Sequence, residues 1–184
     1  MRGFSMISGV PTIFGAVLAV SALVAPASAD IISDRQADMK AMAAAAKTMA
    51  EMFRNPDTYS SMPFAAAAGA IAERSGEVLA GHFADGIEDA RSEAKPDIAG
   101  ERDRFDRLAE DLRTYARALD AAAKANPGAM TERMRMQPGE PMGGGPLGTH
   151  VAKAPSLSSL PAEHLFHLML QTCTTCHARF RMER

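Results

Sequence analysis

Phe105-Asp106-Arg107-Leu108-Ala109-Glu110-Asp111-Leu112-Arg113-Thr114-Tyr115-Ala116-Arg117-Ala118-Leu119-Asp120-Ala121-Ala122 is the stretch that decides the fold. Its apolar residues Phe105, Leu108, Leu112, Tyr115, Leu119 and Ala122 alternate steps of three and four, with Glu and Arg on the other faces. That is the period of an amphipathic helix; a half-buried strand would alternate every second residue. Lys95-Pro96 precedes the helix and Asn126-Pro127-Gly128 stops it.

The same rhythm extends to both sides. Between Ile31 and Phe53 it runs through Met39, Met42, Ala46, Met49 and Phe53, ending at Asn55-Pro56. A second helix, from Asp57 or Pro63 to His82, carries Phe64, Ala68, Ile71, Ser75 and Val78, with Gly81 and Gly86 at its exit. A last one is expected with Ser159 as its cap and Pro161 in its first turn, running through Leu165, Met169, Cys173, Cys176 and Phe180. Aromatics are 5% of the chain and Trp is absent, which opposes a β-fold, because sheets need branched and aromatic side chains to cover a pleated surface. Four helical segments with mostly short connections predict an all-α, antiparallel up-down-up-down four-helix bundle. The exception is Asn126 to Leu157, where five Pro and six Gly in 32 residues predict a mobile excursion.

Residues 1–29 have one basic residue, Arg2, then an apolar run, and end in Ala27-Ser28-Ala29 before the acidic Asp30. These are the parts of a secretory signal. Cleavage after Ala29 is expected, leaving 30–184 as an exported, periplasmic domain with no membrane anchor. Lys+Arg 20 against Asp+Glu 22 gives no broad positive field, so nucleic acid is excluded as a partner.

Two cysteines cannot close a four-thiolate metal site or build a multi-bridge scaffold. They stand together in Cys173-Thr174-Thr175-Cys176-His177, the C-x-x-C-H attachment sequence of haem c. On a helix, thiols three residues apart reach the two vinyl groups of one porphyrin, and the adjacent imidazole of His177 turns to the iron. A thioredoxin-like redox pair needs a preceding strand, for which there is no pattern here; two buried structural cysteines are the remaining alternative. His164 and His167 lack a third ligand nearby and read as solvated, and His82 reads as a helix-end charge partner. Met130, Met134, Met136, Met142 and His150 are soft ligands in a low-complexity linker.

Cys176-His177-Ala178-Arg179-Phe180-Arg181 resembles the C-terminal C-x-x-C-H-x-x-[YF]-R ending of the cytochrome c′ family, whose bundle is itself a standard instance of the up-down-up-down architecture. Arg35-Gln36-Ala37-Asp38-Met39-Lys40 is similar to the family's first-helix signature, and Ala94-Lys95-Pro96-Asp97-Ile98 to the lead into its third helix, although Ala99 stands where an aromatic is often found. The resemblance implies Arg35 and Arg181 near the haem, paired with a propionate or shading the iron's field, and Phe180 against the porphyrin edge. It also implies that the residue four after Arg35 faces the iron's sixth position. Cytochrome c′ proper has Leu or Phe there and a five-coordinate iron; the low-spin cytochrome c-556 type has Met, and this chain has Met39. Met39, Met42 or no side chain remain as alternatives for the sixth site. The expectation is a non-enzymatic, exported carrier of single electrons with His177/Met39 ligation, serving periplasmic redox partner proteins. The alternatives are a five-coordinate cytochrome c′ binding nitric oxide or carbon monoxide, and a metal-handling or thiol-redox protein. Family members often pair through their first two helices, so a homodimer is also on the table.

Overall fold

The computed structural model describes residues 27–84, 90–137, 139 and 156–183. The helices are α1 (Ala27–Arg54), α2 (Ser61–Arg74), α3 (Glu77–Gly81), α4 (Asp97–Gly100), α5 (Arg102–Ala125) and α6 (Ala162–Phe180). With α2 and α3 taken as one broken rod, α1, α2–α3, α5 and α6 are the four rods expected of a bundle. Among the described residues the only β-pairing is a single antiparallel bridge, Ala94 with Arg181.

The second rod differs from the continuous helix expected. Ser75 is fully buried and its hydroxyl donates back to the Ile71 carbonyl at 2.7 Å, which competes with continuation of the ladder. Gly76 follows at φ +63°, and its N–H donates across to Ala109 O at 2.9 Å. A Cβ at this glycine would strike the Arg113 guanidinium, so backbone conformation and close approach both require the missing side chain. The cap of the last helix also differs. Ser159 sits in a short 3-10 turn with its hydroxyl on Ser156 O, and Pro161 takes the N-cap position of α6.

Neighbours along the chain make the closest backbone approaches, α1 to α2, α2 to α5 and α5 to α6. Met42, Met49, Phe53, Phe64, Ile71, Leu112, Leu119, Leu165 and Met169 form the main core, where the helical stripes meet. Leu79, Phe83, Ile98, Phe105, Ala109 and Phe180 form a second cluster near the start of α5 and the end of α6. The excursion expected from Asn126 is corrected at its near end. Met134 is buried, and Arg135 donates to Phe53 O at 2.7 Å and pairs with Glu163 at 2.9 Å. These residues close the bundle floor, joined by the Tyr59 hydroxyl on Asn126 O at 3.0 Å. Most of the remaining stretch, including Met142 and His150, lies outside the described residues, as do residues 1–26 of the expected signal. Among the described residues no helix is long and apolar enough to cross a membrane.

Candidate functional site

The side of the bundle where α1 faces α6 lacks the close backbone contact of the other three. Between them lies a cavity of about 470 Å³. Ile32, Arg35, Gln36, Met39, Lys40 and Ala43 of α1 form one wall, and Cys176, His177, Phe180 and Arg181 the other. Phe83, Ser92, Glu93, Ile98 and Phe105 close it. The spacing of the α1 residues is one helix face, which is why a single stripe of sequence supplies a whole wall.

Cys173 and Cys176 are one turn apart on α6, unbridged and half-buried. Cys173 packs against the main core and Cys176 against the second cluster, so the pair straddles the junction between them. Burial raises the Cys173 thiol, and burial together with Cys173 pushes Cys176 up to about 11. Both are therefore neutral thiols near pH 7. A redox pair needs the reverse, a lowered pKa at a helix N-terminus or beside a cation. Burial, and secondarily the charge of Arg181, hold the His177 imidazole below its ordinary value; the neutral ring keeps a lone pair for a metal.

Arg35 is buried at 7% exposure. Its Nη1 donates to Ser92 Oγ at 3.1 Å, its Nη2 to His82 O at 2.8 Å, and its guanidinium lies 3.8 Å from the centre of the Phe83 ring. Burial lowers its pKa, yet a guanidinium remains charged at neutral pH. Its Nε is buried with no hydrogen-bond partner. Cys176 lines the cavity, while Cys173, one turn back, packs against the main core and does not line it. A partly apolar cavity bordered by one thiol with a second at vinyl spacing on the same helix, a neutral imidazole and a buried cation with an unused donor fits a haem, which has apolar faces and an anionic propionate edge.

Phe180, Phe105 and Phe83 form an edge-to-face chain, with ring centroids 5.4 and 4.9 Å apart, behind the cavity. Arg181 sits at the end of α6 on Glu93, through Nε at 2.9 Å and Nη2 at 2.6 Å. Sequence reasoning missed Phe83, Ser92 and Glu93, which belong to no motif. It also missed Arg179, which pairs with Glu101 and Asp97 and ties α6 to the start of α5. Ala99 is exposed while Ile98 beside it is buried on the cavity wall, so the missing aromatic leaves no gap there. His164 is buried rather than solvated; no cluster of three or more His, Cys, Asp and Glu suited to a metal ion occurs among the described residues.

Met39 lies on the α1 wall, partly buried and packed against both core clusters. Met42, three residues on, is buried in the main core and does not line the cavity.

The model of the family described as Cytochrome C′ matches residues 30–138, more than half the chain. The match ends inside the Gly/Pro-rich stretch and does not reach Cys173. A comparison with curated proteins returns no match. Cytochrome c′ from Thermochromatium tepidum is 19% identical with a TM-score of 0.60, covering 85% of this chain and 98% of its own. Cytochrome c prime from Shewanella frigidimarina is 19% identical with a TM-score of 0.61, covering 86% and 98%. A nitric oxide complex of a mutant cytochrome c prime from Alcaligenes xylosoxidans is 18% identical with a TM-score of 0.58, covering 85% and 97%. At these identities the structural likeness establishes the fold. The family match and these relatives are to cytochrome c′, the branch with an open sixth position, and this overturns the expected single-electron carrier with His177/Met39 ligation. A Met on the cavity face of α1 satisfies the helix pattern equally well as packing between two clusters, and spacing alone does not separate that from ligation.

Proposed function

The chain belongs to the cytochrome c′ family and carries a covalently bound haem c; from that premise we propose that it is an exported, five-coordinate haem protein that captures nitric oxide or carbon monoxide. It is a haem carrier and not an enzyme. The observation that carries the reading is the α1–α6 cavity, with Cys176 and His177 on one wall and only Ile32, Met39 and Ala43 as apolar cover on the other. When bound there, the haem supplies an iron that takes a small gas on the side left without a protein ligand.

The chain's own residues do the rest. Cys173 and Cys176 would hold the porphyrin as thioethers, formed by addition of each S–H across a vinyl group; as free thiols both are neutral near pH 7. His177 offers a lone pair as the proximal ligand. Arg35 would offset a propionate with its buried charge, and Phe180 would support the ring edge. Met39, with Ile32 and Ala43, would give the bound group an apolar neighbour on the α1 side without supplying a ligand. Cleavage after Ala29 would deliver the domain to the periplasm. One solved relative is a cytochrome c′ with a ligand-controlled dimer dissociation, and a homodimer of this chain is part of the same reading.

Absorption spectra of the purified reduced protein, with and without carbon monoxide, test it. High-spin haem that binds carbon monoxide readily is expected. Low-spin haem that resists carbon monoxide would overturn the open-site reading, and chain without haem after acid–acetone extraction would overturn the site itself.

A further inference from the structure

Arg181 stands four residues past His177 and, with it, borders both the α1–α6 cavity and a second, more open depression at the chain's end. The guanidinium donates twice to one oxygen of Glu93. Exposed ion pairs contribute little when both side chains are free to move. Here both backbones are fixed: Lys95 N–H donates to Phe180 O and Met182 N–H to Glu93 O, each at 2.8 Å, around the Ala94–Arg181 bridge. The carboxylate is thus delivered to the guanidinium by a two-stranded strap that joins the segment before α4 to the end of the haem helix.

We propose that Glu93 is a positioning residue for the haem: by pinning the Arg181 guanidinium it sets where that positive charge stands relative to the iron on the His177 side. The proposal rests on the haem being attached at Cys173 and Cys176 with His177 as ligand. Reduction removes one positive charge from the iron, so a nearby uncompensated cation favours the reduced state and a paired one does so less. Glu93 therefore holds the potential down.

The test is the midpoint potential of the haem-loaded protein for wild type, Glu93→Gln, Arg181→Gln and the double variant, alongside amide exchange at Lys95 and Met182. Glu93→Gln is expected to lower the oxidised-to-reduced ratio at fixed solution potential about threefold, roughly 30 mV upward at 59 mV per tenfold for one electron. Glu93→Asp keeps the charge and should stay at the wild-type value. In the Arg181→Gln background the Glu93→Gln shift should shrink to the part due to the lost carboxylate charge alone, because no guanidinium is left to be released, and the strap amides should remain protected throughout. An equal shift in that background means Glu93 acts on the iron directly, and no shift in the single variant means the pair does not reach it; either overturns the proposal. Lost amide protection, with a potential that Glu93→Asp fails to restore, assigns Glu93 to folding of the strap and overturns it too. Wild-type protein without covalent haem would instead remove the premise, and is distinguishable by extraction.

Discussion

The two ends of the bundle use the same residue types to opposite effect. At the floor, Phe53 meets Phe64 at 5.4 Å and Phe166 at 5.3 Å between ring centroids, and Met49, Met134 and Met169 fill the remaining space. Polar groups there satisfy one another, Arg135 on Phe53 O and Glu163 being the clearest case. At the other end Phe83, Phe105 and Phe180 make a single wall, a cavity of about 470 Å³ lies in front of it, and Arg35 keeps an unpartnered Nε. Aromatic content does not distinguish core from site. What distinguishes them is whether volume and hydrogen-bonding capacity are both used up by the chain itself.

If the contrast is real, substitutions at the two ends should change different observables. The largest effect belongs to the site: replacing both Cys173 and Cys176 by Ala should leave no haem on the denatured, extracted chain. Next comes the floor, where Phe64→Ala should lower unfolding free energy by about 3 to 5 kcal/mol in chemical denaturation while leaving the haem spectrum unchanged. A spectral change there would join the two ends into one unit. Gly76→Ala should destabilise by more than about 1 kcal/mol, because the positive φ and the Arg113 contact both oppose a side chain.

Met39→Ala should leave the haem high spin and speed carbon monoxide binding, measured by flash photolysis. Conversion from low to high spin on this substitution would return Met39 to the iron. The smallest effect is at the α5 start. Hydrogen bonding from Arg179 holds the Glu101 carboxyl below the ordinary glutamate range. A carboxyl depressed in the folded state adds stability above its unfolded pKa, about 4.3, and loses it as pH falls through the lower folded value. Glu101→Gln should therefore flatten the acid limb of a melting-temperature curve below that pH, with less difference at high salt.

The α5 helix was legible because charged residues surround its apolar stripe, so the period is unambiguous. The rod holding Phe64 and Ile71 was legible as helix but not as broken, because Ser75 lies on the apolar stripe; the only signal was Gly76 beside it. Composition taken over 126–157 hid the ordered part, since Glu132-Arg133-Met134-Arg135-Met136 contains neither Gly nor Pro. At the site, the attachment motif was plain because two thiols and an imidazole admit few chemistries. Met39 was expected to face the iron's sixth position; it lies on the cavity wall, but the expected ligation is overturned by the family match. Ser92 and Glu93 could not be found from local pattern, because their partners Arg35 and Arg181 are far away in sequence.

The open side of the bundle joins its first helix to its last. Ile32 and Arg181 line one cavity although almost the whole described chain separates them, and no single turn among the described residues joins those walls. Bringing them together costs the loop-closure entropy of a very long segment, and such non-local contacts form late in folding. On the proposed reading, a haem fixed to α6 and held by Arg35 of α1 would turn that costly, late encounter into a link between the two ends of the chain, so that unfolding would have to release both of them from the same group.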